Sequence, residues 1–277
     1  ATAALHYAKL HVENSPESKV LVIASDIAKY GVGTPGEPTQ GAGSVAMLIT
    51  QNPRIMAFNN DNVAQTRDIM DFWRPNYSST PYVNGMYSTQ QYLDCLTTTW
   101  DEYKKRYDWT MDDFAAICFH LPYPKLALKG LRKMMDKTLS KEKQNSLQEN
   151  FDKSILYSQM IGNIYTGSLF LGLLSLLENA ETLKAGDKIA LYSYGSGAVS
   201  EFFSGELVEG YEAYLDKERL SKLKQRTALS VADYEKVFFE EVQLDESGSA
   251  QFAGYEYQDY ALVEIVDHQR RYSKVEK

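Results

Sequence analysis

Four short apolar runs constrain what this chain can fold into more than any other feature. They are KVLVIAS (19–25), SVAMLIT (44–50), FAAICFH (114–120) and KIALYSY (188–194). Each is rich in β-branched or aromatic residues, shorter than a typical helix and flanked by turn-forming or polar residues, so each reads as a buried core strand. Two further runs, SEFFSGELVE and YALVEIV, read as strands nearer the end. Helix-forming stretches lie between: the alanine-rich ATAALHYAKLHVE at the start, 122–137, 140–160 and the apolar 166–180. This alternation specifies an α/β fold, and its return after residue 112 suggests two related halves.

Residues 53–112 differ, being rich in Tyr, Asn, Ser and Thr. Their segment DFWRPNYSSTPYVNGMY (71–87) reads as a long packed loop. Ser88 and Gln91 form a capping-box pattern ahead of the helix QQYLDCLTTTWDEYKKRY. The expected division is therefore 1–52, the remainder of an N-terminal half; 53–112, an insertion covering a cleft; and 113–277, a C-terminal half.

The net charge of −8 argues against a nucleic-acid partner, which favours basic surfaces. No stretch approaches the ~20 apolar residues of a membrane helix. Nothing resembles a signal peptide, so a cytoplasmic location is expected. Two cysteines, Cys95 and Cys118, make neither a disulfide framework nor a metal site. The first helix opens without an N-cap residue or an initiating Met, which reads as a helix cut in its middle.

Chemistry can be sought at strand ends, where α/β sheets place ligands. His120 ends the third run and is followed by Pro122 and Lys125. The other histidines, His6, His11 and His268, lie in polar contexts and are expected to be exposed. A lone strand-end histidine is more often a satisfied core residue. Its neighbours raise its interest. Lys125, Lys129, Lys133, Lys137 and Lys141 recur every fourth residue, a cationic helix stripe placed to meet phosphates or merely solvated. Asn163 in GNIYTGSL could be aimed into a cleft or could act as a cap. Ser196 sits in the tight SYGSG turn after the fourth run. Thr39 and Gln40 close a glycine-rich loop, KYGVGTPGEPTQGAG (29–43).

Taken in order, VLVIASDIAKYG, GEPTQGAGSVAMLI, DFWRP, CFHLPYPK, GNIYTGSL and SYGSGAVSEFFSG closely resemble the bacterial type of 3-hydroxy-3-methylglutaryl-CoA synthase, of the thiolase superfamily. The resemblance covers nearly the whole chain. It implies a thiolase-like layered αβαβα fold of two related halves, the first incomplete here, and a homodimer. It also implies condensation of acetyl-CoA with acetoacetyl-CoA in the mevalonate route, through an acetyl-cysteine, with CoA thioesters as substrates and no cofactor. By motif, His120 would support the acetoacetyl ketone as it becomes an alkoxide, with Asn163 assisting. Ser196 and Thr39 would hold the hydroxyacid portion, Tyr30 and Phe72 would line the pocket, and Lys125 and Lys129 would meet the CoA phosphates. Ser88 falls at a substrate-binding position.

The chain departs from the family in the GVGTPG loop after Tyr30. The family's nucleophilic cysteine and base glutamate lie upstream of the equivalent of Ala1, so this chain alone is expected to be inactive. A synthase acting on carrier-protein substrates in polyketide β-branching, or a non-catalytic thiolase-fold subunit, remains an alternative.

Overall fold

The computed structural model describes residues 1–78, 80–253 and 260–274, and the chain divides into two compact units, Ala1–Arg226 and Thr227–Lys277. In the first unit, helix α1 (Thr2–Asn14) leads into an antiparallel ladder of β1 (Lys19–Ala28) and β2 (Gly41–Thr50). Short strands β3 (Met56–Phe58), β4 (Val63–Thr66), β5 (Phe72–Trp73) and β6 (Tyr82–Val83) follow, then the long helix α2 (Gly85–Tyr107). Strand β7 (Ala116–Phe119) is succeeded by helices α3 (Pro124–Met134), α4 (Lys141–Ser154), α5 (Leu156–Ile161) and α6 (Gly167–Asn179). Strands β8 (Lys188–Gly195) and β9 (Val199–Leu207) and the short helix α7 (Arg219–Lys224) complete this unit.

The central sheet runs β3-β9-β8-β7, with β4 also on β9. Strand β7 pairs parallel to β8, whereas β9 is antiparallel to both β8 and the two short strands. Residues 56–66, inside the stretch read as an insertion, thus supply edge strands to this sheet. Both faces are covered. Ala190, Tyr192 and Tyr194 of β8 join one apolar cluster with Tyr92, Leu96 and Trp100 of α2. Ile189 and Leu191 join another with Leu169, Phe170 and Leu176 of α6. Alternate residues of one strand therefore feed two cores, which explains its nearly continuous apolar sequence.

The β1–β2 ladder is different. Val22, Ala24, Ala28 and Val45 are buried, but Leu21, Ile23, Ile27 and Leu48 are exposed. The reading of 19–25 and 44–50 as buried strands thus holds for one face only, because among the described residues no layer covers the other.

The lysine stripe also needs correction. Helix α3 stops at Met134, where Asp136 turns the chain by accepting the amides of Thr138 and Leu139. Ser140 then caps α4 through the amide of Lys143. Lys137 lies in that turn and Lys141 opens a new helix, so the five lysines do not share one helix face. The start of α2 is corrected as well: Asn84, not Ser88, is the cap, accepting the Tyr87 amide at 3.1 Å. Ser88 is thereby left inside the first helical turns with its hydroxyl free for another partner.

The second unit contains helix α8 (Val231–Phe239) and an antiparallel sheet of β10 (Ala250–Gln251), β11 (Tyr260–Val266) and β12 (Gln269–Lys274). The run YALVEIV is a strand, as its pattern predicts.

Candidate active site

The site is built at the end of β7 and β8. One residue beyond β7, the His120 amide donates to the Tyr192 carbonyl at 2.7 Å, which continues the parallel pairing. The Tyr92 hydroxyl donates to the His120 carbonyl at 3.0 Å. His120 is 9% exposed. Burial pushes its pKa down to about 4, so at neutral pH the imidazole is uncharged, with one N–H to donate and one nitrogen to accept.

The His120 ring centroid lies 6.4 Å from that of Tyr194. Tyr194 in turn leads to Asp71, a fully buried carboxylate that sequence analysis left unassigned. Asp71 accepts the Tyr194 hydroxyl at 2.9 Å, the Ser196 hydroxyl at 2.8 Å, the Ser88 hydroxyl at 3.2 Å and the Gly197 amide at 3.2 Å. One side chain therefore ties the glycine-flanked turn after β8 to the start of α2 and to the aromatic neighbour of His120. Burial, reinforced by the Asp71 hydrogen bond, pushes the Tyr194 phenol up and keeps it a donor. The only sequence signal for Asp71 was its place at the head of the DFWRP motif. Composition offers no hint that a single acid would collect four donors from two segments so far apart in the chain.

Phe72, the next residue, carries the cluster to its other side. The Tyr30 ring meets Phe72 edge-on, with centroids 5.9 Å apart, and Phe72 lies 6.3 Å from Tyr165. Asn163 is buried and donates its amide to the Tyr30 hydroxyl at 3.4 Å. Its side-chain carbonyl accepts the Tyr165 amide at 2.8 Å and the Ser168 hydroxyl at 3.2 Å. Asn163 thus both shapes the entry to α6 and reaches Tyr30. Tyr30 is held from behind, since Gln40 accepts the amides of Tyr30 and Gly31 at 2.7 and 3.1 Å.

The glycine-rich loop and the GNIYTGSL turn approach each other closely. Gly41 and Gly162 form a β-bridge. A Cβ on Gly41 would sit 2.5 Å from the Asn163 carbonyl oxygen, and one on Gly162 would fall 1.9 Å from the Gln40 oxygen. Only glycine fits at either position. Thr39, two residues before Gly41, donates to the Gly36 carbonyl at 2.8 Å within its own loop. The structure thus joins Tyr30, Phe72, Ser88, His120, Asn163 and Ser196 through a chain of contacts and leaves Thr39 beside it.

Lys125 and Lys129 stand exposed on α3, and neither has an ion-pair partner among the described residues. Lys133 is 3.7 Å from Asp94, and Lys143 donates to the Asp112 carbonyl. Both cysteines are buried in the cores, and burial pushes the Cys118 thiol up to about 12. Among the described residues, no cluster of His, Cys, Asp and Glu could hold a metal, and no helix is long and apolar enough to cross a membrane.

The profile of the hydroxymethylglutaryl-CoA synthase C-terminal region matches residues 62–154 and 132–271, which together carry His120, Asp71, Asn163 and Ser196. The chain belongs to the hydroxymethylglutaryl-CoA synthase family. It is 52% identical over 247 residues to a hydroxymethylglutaryl-CoA synthase of Enterococcus faecalis, covering 88% of this chain and 64% of that protein. It is 32% identical over 244 residues to the polyketide 3-hydroxy-3-methylglutaryl-ACP synthase PksG of Bacillus subtilis, covering 82% of this chain and 57% of that protein. A crystal structure of an HMG-CoA synthase complexed with CoA superposes with a TM-score of 0.94 at 66% identity, covering 99% of this chain and 71% of that one. The fold is therefore the thiolase-like α/β fold of the family. The chain spans 57 to 71% of the length of these relatives.

Proposed function

We propose that this chain is the larger part of an enzyme that condenses acetyl-CoA with acetoacetyl-CoA to 3-hydroxy-3-methylglutaryl-CoA, acting as a cytoplasmic homodimer. The acetyl group of acetyl-CoA passes to a cysteine thiol outside this chain, releasing CoA. A base removes a proton from the acetyl methyl, whose carbon then attacks the acetoacetyl ketone. Water finally cleaves the thioester to the enzyme, freeing the product and the thiol.

The observation that carries this reading is the contact chain from His120 through Tyr194 and Asp71 to Ser196, with Asn163 and Tyr30 opposite. A neutral buried imidazole is a preorganised donor for an oxygen that gains negative charge. Such donors act most strongly where water is excluded. Asn163, pinned through its carbonyl, presents its amide to the thioester side. Ser196 and Ser88, both oriented by Asp71, would hold the hydroxyacid portion with Thr39 nearby. Tyr30 and Phe72 would wall the pocket. The ammonium groups of Lys125 and Lys129, without an ion-pair partner among the described residues, would meet the CoA phosphates.

The test is turnover by the full-length protein, following loss of acetoacetyl-CoA and appearance of product in the presence of acetyl-CoA. No turnover with CoA thioesters, but turnover with an acetoacetyl carrier protein, would favour the PksG-like reading instead. That second reading rests on the 32% identity to PksG. This chain by itself should take no label from radiolabelled acetyl-CoA. Both of its thiols are buried, and acyl transfer needs an accessible thiolate. Stoichiometric labelling of Cys95 or Cys118 would sink this reading of the missing nucleophile.

A further inference from the structure

Helix α1 carries two adjacent seams. Leu5, Ala8 and Val12 are buried and apolar. Beside them runs a polar seam, Thr2, His6 and Lys9, whose spacings of four and three keep them on one face. Thr2 Oγ1 lies 2.9 Å from Ser193 Oγ, and His6 Nε2 lies 2.6 Å from Glu201 Oε1. The second is a close approach of the two side chains rather than an aligned hydrogen bond, and the His6 ring also rests edge-on against Phe203 at 5.3 Å. Lys9 Nζ reaches Asn60 at 2.5 Å. His6 is therefore packed, contrary to the exposed position its sequence context predicts; His11 and His268 are exposed as expected.

Ser193 and Glu201 are direct cross-strand partners in the β8–β9 ladder. Thr2 and His6 are about one helical turn apart, roughly 6 Å of rise, and neighbouring strands are about 4.8 Å apart. The first turn of α1 thus spans this single strand pair. Two contacts at different points along the helix fix both its axial position and its rotation, which apolar packing alone would leave free to slide. The clamped pair lies at the site end of the sheet, since Ser193 precedes Tyr194 and stands three residues before Ser196. Glu201 is 9% exposed and also accepts the Asn62 amide at 3.2 Å. A buried carboxylate is costly to retain where an apolar pair would pack as well, and specifying register is the best-attested use of such groups.

We propose that the Thr2–Ser193 and His6–Glu201 contacts form a two-point clamp that sets the register of α1 against the site end of β8 and β9. This makes His6 and Glu201 positioning residues for the reaction proposed above, on which their kinetic role rests. Neither touches a reacting atom. Their effect is exerted through the placement of the α1 start beside the Tyr194–Gly197 turn.

The experiment uses the full-length protein with His6→Leu, Glu201→Leu and the double Leu variant. Amide hydrogen exchange without substrate reads the clamp directly. Each single variant should accelerate exchange in the first turn of α1 and at Tyr194–Gly197 by about tenfold, the effect of leaving one buried polar partner without the other. Unchanged exchange there overturns the clamp, whether or not the protein turns over CoA thioesters. In kinetics, kcat should fall in all three variants while KM for acetoacetyl-CoA stays at the wild-type value. The double Leu variant should regain thermal stability without regaining kcat. If kcat instead recovers with stability, the pair is structural and the positioning role is wrong. A wild-type protein with no turnover defeats the proposed function alone, because the exchange result still decides the clamp.

Discussion

Two pieces of sheet in this molecule have similar sequences and different surroundings. KIALYSY in β8 and KVLVIAS in β1 are both short apolar runs opened by a lysine. In β8 every residue from Ile189 to Tyr192 is buried, because α2 and α3 pack on one side and α6 on the other. In β1 burial alternates, leaving Leu21 and Ile23 more than half exposed. The difference teaches that an apolar run specifies a strand but not the number of layers on it. It also separates two sides of the candidate site. The doubly covered sheet ends at the buried His120 and at Tyr194, whose hydroxyl Asp71 accepts, whereas Tyr30 follows the end of β1 and meets Phe72.

Core truncation should separate the two regions most widely. Leu191→Ala should cost this chain about 2–5 kcal/mol, whereas Ile23→Ser should fall within about 0.5 kcal/mol. Chemical denaturation of both variants checks this. In the full-length protein, a large cost for Ile23→Ser would show that further chain covers the outer face of β1. Equal costs in this chain alone would break the comparison.

The chemistry should follow the same divide. In the full-length protein, His120→Ala should slow condensation by about 100- to 1,000-fold, the usual loss for one oxyanion-type donor. Acetylation of the enzyme should be much less affected, which a comparison of single-turnover acetyl transfer with overall turnover would show. Near-normal turnover would remove His120 from the site.

A pH titration of stability sharpens the contrast further. The folded pKa of His120 lies near 4, below its ordinary value of 6.5. The unfolded chain therefore binds a proton first as the solution is acidified. This contribution is fully present above pH 6.5 and is lost as pH falls towards 4, with at most about 3 kcal/mol at stake. Replacing His120 with Asn should flatten that part of the profile. An unchanged profile would mean that the imidazole is not desolvated.

The smallest effect is expected at the exposed lysines. Lys125→Ala or Lys129→Ala should raise KM for acetoacetyl-CoA with little change in kcat, and the loss should shrink as salt rises. Equal binding by both variants and the parent at low salt would leave these lysines as a solvated face.

The sequence by itself determined the α/β class and most of the strands, because side-chain periodicity and turn residues act locally. It also carried the motifs that place His120, Asn163 and Ser196. Several features were decided only by tertiary structure. The lysine stripe broke because Asp136 and Ser140 bond the backbone between two helices. Ser88 left its capping pattern because Asn84 took the cap and Asp71 offered a buried acceptor. Asp71 gathers donors from β8, the turn after it and α2, and His6 meets Glu201 across 195 positions of chain. Such pairings depend on which segments the fold brings together, and no local pattern encodes a partner so distant in sequence.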